Sequence, residues 1–226
     1  MQVDVAFTPS EAAAAPVGVV VDVLRATSTF AQALESGWPR ILCAPGIEEA
    51  RAVRDQLGEG LLGGERVGER IPGFDVGASP REFVQPGEQP LIFSTTNGTR
   101  AILTAASSCD RVYLASLLNL DAAAAAARAG GDDVVIVCAG FQGAFALDDA
   151  YCAGRIVELL DGDRTDAAKA AEVIARAYPD AYEGLTARTY GPPGLEEDIR
   201  FCARVDALTT VPRFARMVGP AAEIMR

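Results

Sequence analysis

Histidine is absent from this 226-residue chain, and lysine occurs only once, at Lys169. Without histidine, Ser-His-Asp and Cys-His catalysis, phosphohistidine chemistry and histidine-ligated zinc sites are excluded. Acid–base or metal chemistry must therefore rely on carboxylates, with tyrosine or cysteine as minor options. Since the other basic residues are all arginine in a chain of net charge −11, any arginine near a ligand would act as a local anion clamp.

Other features that the sequence lacks limit the compartments and the partners that we expect for this protein. The five cysteines include no CxxC pair, and their odd number indicates reduced thiols in the cytoplasm rather than a disulfide framework. No basic stretch followed by an apolar one opens the chain, and no apolar run reaches the ~18 residues of a membrane span. The acidic balance argues against nucleic acid. We therefore expect a cytoplasmic protein without a membrane or nucleic-acid partner, and the sequence leaves a homo-oligomer open.

Short apolar runs alternate with helical patterns over the first 140 residues. The runs have the length of buried strands and lie at Val3–Phe7, Val17–Val23, Arg40–Cys43, Gly60–Leu62, Leu91–Phe93, Val112–Leu114 and Val134–Cys138. The patterns between them predict helices at Thr27–Ser36, Pro45–Leu57, Thr99–Ala106 and Ala122–Ala129. This alternation indicates an α/β fold, layered α/β/α, with a largely parallel or mixed sheet.

The C-terminal part is richer in helix. Its patterns predict helices at Asp148–Leu160, Thr165–Tyr178 and Leu195–Arg204. One further strand is predicted at Ala207–Val211, before a proline. The length suits a single domain over residues 1–226, and two lobes at 1–140 and 141–226 stay open.

A polar turn between the Leu91–Phe93 run and the next helix is the most informative local feature. It contains Thr95, Thr96, Asn97, Gly98, Thr99 and Arg100. Unpaired N–H groups at a helix N-terminus favour anions, and glycine permits close approach of the backbone. The turn is therefore a candidate seat for a phosphate, sulfonate or carboxylate. An ordinary capped turn is the alternative, because the same residue types are the usual N-caps.

Charged side chains follow several of the other predicted strands. Those singled out are Asp22 and Arg25, Glu65 and Arg66, Asp75, and Asp148. Ligands of open α/β sheets bind beyond the carboxyl ends of the strands, where these residues fall. Each also has a plain structural explanation as an ion pair, an Asx turn or a first-turn acid. Together with the polar turn, they predict a site for Mg²⁺ and a phosphate ester.

Common phosphate motifs, such as the P-loop and the GxGxxG turn, are absent. The motifs that are present resemble the 2-phosphosulfolactate phosphatase family. They cover nearly the whole chain in order and are Val21–Ser28, Gly64–Arg66, Ile71–Pro80, Thr95–Ala101, Cys138–Gly140, Leu147–Asp149 and Glu197–Cys202.

The resemblance implies an Mg²⁺-dependent phosphatase of an unusual α/β fold. The founding activity of the family converts 2-phosphosulfolactate to 3-sulfolactate and phosphate in coenzyme M biosynthesis. The substrate of this chain would then be a small phosphoester with two or three anionic groups, suited to arginine.

On this hypothesis the candidate residues have three roles. The catalytic candidates are Asp22, Glu65 and Arg25. The candidates for holding phosphate or substrate are Arg66, Thr95, Thr96, Asn97, Gly98, Thr99 and Arg100. The candidate metal ligands are Asp22, Glu65, Asp75 and Asp148. The ion would polarise the phosphoryl group, and the attacker would be either water or a carboxylate.

Two positions depart from the family pattern. Ala78 stands where asparagine is frequent, and Thr186–Gly194 differs from the expected small-residue and leucine pattern. If the second segment contacts the distal end of the substrate, the substrate differs. The alternatives are therefore a phosphatase or phosphotransferase for another small phosphoacid, or a non-catalytic anion-binding relative.

Overall fold

The computed structural model describes residues 1–12, 14–191 and 193–226. Within these residues, the strands are β1 (Gln2–Ala6), β2 (Ala15–Val21), β3 (Ile41–Cys43), β4 (Leu61–Arg66), β5 (Glu69–Arg70), β6 (Leu91–Ser94), β7 (Cys109–Ala115), β8 (Val134–Cys138), β9 (Asp163–Arg164), β10 (Arg213–Val218) and β11 (Ala221–Met225). The α-helices are α1 (Ala26–Glu35), α2 (Ile47–Leu57), α3 (Gly98–Ser108), α4 (Leu120–Arg128), α5 (Leu147–Leu159), α6 (Asp166–Ala177), α7 (Ala181–Thr186) and α8 (Glu196–Cys202).

All the strands belong to one mixed sheet in the order β5-β4-β6-β3-β11-β10-β7-β2-β8-β1-β9. One parallel group contains β4, β6 and β3, and a second contains β7, β2, β8, β1 and β9. The antiparallel β10–β11 hairpin joins the groups by pairing β11 with β3 and β10 with β7. The predicted layered α/β fold is confirmed, with a mixed sheet.

Helices cover both faces of the sheet. On one face, α1 and α3 pack in one apolar cluster with strands of both parallel groups. The rings of Phe30 in α1 and Phe93 in β6 meet edge to face, with their centroids 5.0 Å apart. On the opposite face, α2 covers the first parallel group, whereas α4, α5 and α6 cover the second. Strands buried on both faces must be apolar along their whole length, which explains the continuous valine-rich runs of β2 and β8.

The predicted strands of the first 140 residues and the predicted helices are confirmed to within a few residues at most boundaries. The strand predicted at Ala207–Val211 is wrong. Its backbone is satisfied without a ladder, because Glu35 accepts hydrogen bonds from the N–H groups of Thr209 and Thr210, and the Leu208 N–H bonds Leu118. The β10–β11 hairpin and α7 were not predicted.

The described part of the chain contains no helix long and apolar enough to cross a membrane. All five cysteines are free, and four of them are buried.

Candidate active site

A cleft lies where the carboxyl ends of β2, β4, β6 and β8 approach one another. Its volume is about 640 Å³, including space at the open mouth. We divide its lining by position in the chain. The first wall consists of Asp22, Leu24, Arg25, Ala26, Glu65, Val67, Gly68, Ala78, Thr95, Thr96 and Asn97. The second wall consists of Gly140, Phe141, Gln142, Ala146, Asp148, Asp149, Arg188, Tyr190 and Leu195.

Asp22 is a buried acid of the first wall, between β2 and α1. Its Oδ1 accepts a hydrogen bond from the Ala26 N–H at 3.2 Å. Burial raises the pKa of Asp22 to about 7, and the negative charges of Glu65 and Asp148 add to the shift. Its Oδ2 makes no hydrogen bond to the described residues, and a Cβ at Gly98 would lie 2.4 Å from that oxygen. Glycine at position 98 therefore leaves room for the Asp22 carboxylate.

Glu65 is fixed by two backbone amides. Its Oε1 accepts from the Thr96 N–H at 2.8 Å, and its Oε2 accepts from the Gly68 N–H at 2.7 Å. These bonds connect the end of β4 to the turn before α3. The carboxylate therefore has a set orientation before any ligand arrives.

The turn before α3 is capped from within. The Thr95 hydroxyl accepts from the Thr99 N–H at 3.0 Å, and the Thr99 hydroxyl accepts from the Thr95 N–H at 3.1 Å. In the described part of the chain, the N–H groups of Asn97 and Gly98 have no hydrogen-bond acceptor, and the buried Thr96 hydroxyl has no partner. The turn thus combines an ordinary cap with unused donors, which is what an anion seat requires.

Arg25 reaches the cleft but is held by other groups. Its Nη1 lies 2.7 Å from Asp198 Oδ2, and its Nη2 donates to the Gly68 carbonyl at 2.8 Å. Asp198 also accepts from the Ser79 hydroxyl at 2.6 Å. Both ions of the pair are nearly buried, with side chains 9% and 7% exposed. Arg25 therefore fastens the first wall to α8.

Two adjacent aspartates begin α5 on the second wall. Asp149 accepts from the Val23 N–H at 2.9 Å through Oδ1 and from the Gly140 N–H at 3.0 Å through Oδ2. Burial, together with the charges of Asp148 and Asp22, raises the pKa of Asp149 well above its ordinary value. Asp149 ties the ends of β2 and β8 to α5, and so joins the two walls.

Asp148 has side-chain partners in addition to the Asp149 N–H, which donates to its Oδ1 at 3.0 Å. The Tyr190 hydroxyl donates to its Oδ1, and Arg188 Nη1 lies 3.6 Å from its Oδ2. Burial raises the pKa of Asp148, and the Tyr190 hydrogen bond and the Arg188 charge oppose that rise. Tyr190 in turn stacks on Phe141, with ring centroids 4.8 Å apart.

The structure brings Asp22, Arg25, Glu65, Asp148 and the Thr95–Asn97 turn together in the cleft. The other five predicted residues lie outside its lining. Gly98 packs against the Asp22 carboxylate and Thr99 bonds Thr95, so both support the lining from behind. Arg66 donates to the Ser94 hydroxyl and carbonyl, and Arg100 is exposed in a separate groove along α3. The exposed Asp75, in the segment between β5 and β6, accepts from the Leu62 N–H of β4.

Sequence reasoning missed most of the second wall. Arg188 and Tyr190 fall in the Thr186–Gly194 segment, where only the departure from the family pattern drew notice. Asp149 belongs to the Leu147–Asp149 motif and follows a predicted strand, but it was assigned no role, because nothing in its local sequence reveals the two strand ends that it joins. Phe141 follows a glycine in a loop and carries no motif of its own.

The donor chemistry of the cleft fits Mg²⁺. Asp22, Glu65, Asp148 and Asp149 supply only oxygen, and the Asp22 Oδ2 is without a hydrogen bond to the described residues. No three Asp, Glu or Cys side chains within the described residues are arranged to hold an ion by themselves. Mg²⁺ commonly binds through one or two carboxylates, water and a substrate phosphate, so this arrangement suits it. A cation would also offset the repulsion that raises the pKa of Asp22.

The mixed sheet, the acidic cleft and the helix N-terminal turn define the class of α/β enzymes that act on small anionic substrates. Residues 5–216 match the family described as 2-phosphosulpholactate phosphatase. The chain is similar to proteins named "Probable 2-phosphosulfolactate phosphatase" from Thermus thermophilus, at 41% identity over 98% of both chains, and from Symbiobacterium thermophilum, at 40% over 91% of this chain and 94% of the relative. The chain belongs to the 2-phosphosulfolactate phosphatase family.

Proposed function

We propose that this protein is an Mg²⁺-dependent phosphatase that hydrolyses 2-phosphosulfolactate to 3-sulfolactate and phosphate. The observation that carries the proposal is the meeting of four carboxylates and the donor-bearing turn before α3 in one cleft. The names of the relatives supply the substrate. Such a reaction would belong to coenzyme M biosynthesis.

On this proposal, one or two carboxylates among Asp22, Glu65 and Asp148 hold the ion together with water and the substrate phosphate, and the bound ion would neutralise charge on the phosphoryl oxygens. The N–H groups of Asn97 and Gly98 donate to those oxygens. These donors are fixed in advance, so they stabilise the developing charge without reorganisation. In the net reaction, the bond between phosphorus and the ester oxygen breaks, a water oxygen bonds to phosphorus, and the ester oxygen leaves with a proton.

Glu65 has a second task in this scheme. Because it accepts from the Thr96 N–H, it holds the backbone of the phosphate seat as well as facing the cleft. Asp149 performs the corresponding task on the other wall, through its bonds to Val23 and Gly140. Both carboxylates therefore set the spacing of groups that must meet the substrate together.

The composition supports our proposals for the partners and the compartment of the protein. A net charge of −11 disfavours nucleic acid as a partner, and five unpaired cysteines suit the cytoplasm. A homo-oligomer stays a prediction.

The test is phosphate release from 2-phosphosulfolactate and from 2-phospholactate, measured with Mg²⁺ and with EDTA. We expect Mg²⁺-dependent release that is much faster with the sulfonate-bearing ester. Release from phospholactate alone would retain a phosphatase and discard the named substrate. Adding an alcohol acceptor separates hydrolysis from phosphotransfer, since a phosphotransferase would yield an alkyl phosphate. A folded protein that releases nothing from either ester would contradict the proposal.

A further inference from the structure

Arg188 is the basic side chain of the second wall. It lines the cleft and is only 9% exposed, yet it donates no hydrogen bond to residues 1–12, 14–191 or 193–226. Its one charged neighbour there is Asp148, at 3.6 Å, and that carboxylate already accepts from Tyr190. The unused donors of this guanidinium are therefore available to a ligand that enters the cleft.

Arg25 shows what a satisfied arginine looks like in the same cleft. It has the same exposure, but Asp198 and the Gly68 carbonyl occupy its two terminal nitrogens at 2.7 and 2.8 Å. The difference between the two arginines is therefore in their acceptors and not in their burial. Arg25 fastens two parts of the fold, whereas Arg188 faces the cleft with a fork of donors that nothing described in the protein fills.

The surroundings of Arg188 suit a weakly hydrated anion. Its guanidinium carbon lies 5.8 Å from the centre of the Tyr190 ring, which stacks on Phe141. The Tyr190 ring thus lies within cation–π range of the guanidinium, and Phe141 backs that ring. A carboxylate or a sulfonate can present two oxygens that each accept one of two parallel N–H groups of the guanidinium.

The phosphoryl group has its own donors on the first wall, at Asn97 and Gly98. A substrate with a phosphate on one carbon and further acids nearby needs donors on both walls. We propose that Arg188 binds the non-transferred anionic group of the substrate, its sulfonate or carboxylate, and so determines specificity for polyanionic phosphoesters. This inference rests on the proposed function.

The test compares Arg188→Met with the wild type on three esters: 2-phosphosulfolactate, 2-phospholactate and p-nitrophenyl phosphate, which lacks a second anion. We expect kcat/KM for the first ester to fall roughly 30- to 1000-fold. The p-nitrophenyl ester should change less than about threefold. Arg188→Lys should be intermediate, because it retains the charge and loses the fork. Arg200→Met is the matched control, since that exposed α8 residue is outside the cleft lining, where it pairs with Glu197 and lies over the Tyr182 ring.

Phospholactate identifies the group that is bound. A loss shared by both acidic esters assigns the carboxylate to Arg188, and a loss confined to phosphosulfolactate assigns the sulfonate. Equal losses on all three esters would overturn the inference, since Arg188 would then serve the phosphoryl group or the fold. Unchanged kinetics would overturn it as well.

Calorimetric binding of 3-sulfolactate separates this inference from the proposed function. If the wild type releases no phosphate but binds 3-sulfolactate, and Arg188→Met does not, the phosphatase proposal fails while the anion subsite stands. Equal binding by wild type and variant, or binding by neither, would overturn the subsite. Thermal melting of each variant confirms that it is folded.

Discussion

The two walls of the cleft hold their charged groups in different ways. On the first wall, backbone amides orient Glu65, and Asp198 and a carbonyl satisfy Arg25. On the second wall, backbone amides orient Asp149, and Asp148 accepts from the Asp149 N–H and the Tyr190 hydroxyl, but Arg188 has no hydrogen-bond acceptor in the described residues. The walls therefore differ in their arginines: Arg25 is satisfied within the fold, whereas Arg188 keeps donors that a ligand would complete.

This contrast suggests a division of labour. Groups that stabilise charge during the reaction gain most from being fixed in advance, because they then need not reorganise. Groups that recognise the rest of the substrate gain from unsatisfied donors, because a ligand lacking the matching acceptor leaves them unpaired. Substitutions on each wall should therefore have different effects on turnover, on specificity and on stability.

The largest effect is expected at Asp22. Asp22→Asn removes a buried charge beside the phosphate seat and should lower kcat by roughly 10²–10⁴-fold. Asp75→Asn is the matched control, because Asp75 is a predicted ligand that is exposed and outside the cleft lining. Steady-state phosphate release measures both. Equal losses in the two variants, or near-full activity of Asp22→Asn, would remove Asp22 from the reaction.

Asp198 tests whether the first wall is fastened as described. Asp198→Ala leaves the nearly buried Arg25 without its carboxylate, which should cost about 3–5 kcal/mol of unfolding free energy and lower Tm by roughly 10 °C. Glu197→Ala, next to it on α8, removes only an exposed pair with Arg200 and should change Tm very little. Melting curves that coincide for these two variants would show that the Arg25–Asp198 pair contributes little.

Tyr190 tests the second wall. Tyr190→Phe deletes the hydroxyl that donates to Asp148 but retains the ring that stacks on Phe141. A hydrogen bond to a charged group is worth about 1.5–3 kcal/mol, so kcat/KM should fall about tenfold or more, and Tm should fall by roughly 3–12 °C. A fall in Tm with unchanged kcat/KM would assign Tyr190 to packing alone.

The smallest effect concerns pH. The unfolded chain ionises Asp22 near 3.8, whereas the folded, metal-free protein retains that proton to about 7. The folded state therefore binds more protons between these values, and stability falls as pH rises through the window. Between roughly pH 5 and pH 8, Tm of the metal-free wild type should fall more than Tm of Asp22→Asn.

The same comparison of Tm between the wild type and Asp22→Asn should be repeated with Mg²⁺. At the higher pH, the ion should raise Tm of the wild type more than that of Asp22→Asn, because a ligand stabilises the state that binds it. Identical pH and Mg²⁺ responses in the two proteins would contradict both the raised pKa of Asp22 and its place among the metal ligands.

The fold was predictable where local patterns agree with the final packing. Strands such as β8 are buried on both faces and appear as uninterrupted apolar runs, so they were found. The β10–β11 hairpin was missed because much of β10 is exposed, while β11 contains the buried acid Glu223. Arg216 of the same hairpin and Arg40, which is 183 residues away, satisfy that acid, and no local pattern reveals the contact with Arg40.

The site, like the fold, was predictable where local sequence sets the position of a residue. It was not predictable where contacts between distant parts of the chain set that position. Strand-end motifs place Asp22, Glu65 and Thr96 at the cleft, because the strands themselves set those positions. Adjacency to a motif was a poor guide to side-chain direction: Arg66 turns back to Ser94 instead of entering the cleft. Arg188 and Tyr190 come from a loop more than 40 residues beyond β8, where the tertiary fold decides what meets the site.

A crystal structure with Mg²⁺ and 3-sulfolactate, with phosphate as the second product, would test the central claim most directly. The account predicts phosphate against the Asn97 and Gly98 N–H groups, the ion beside Asp22, and the sulfonate or carboxylate of sulfolactate on the Arg188 guanidinium. Both products bound at another surface, with this cleft filled only by water, would contradict it.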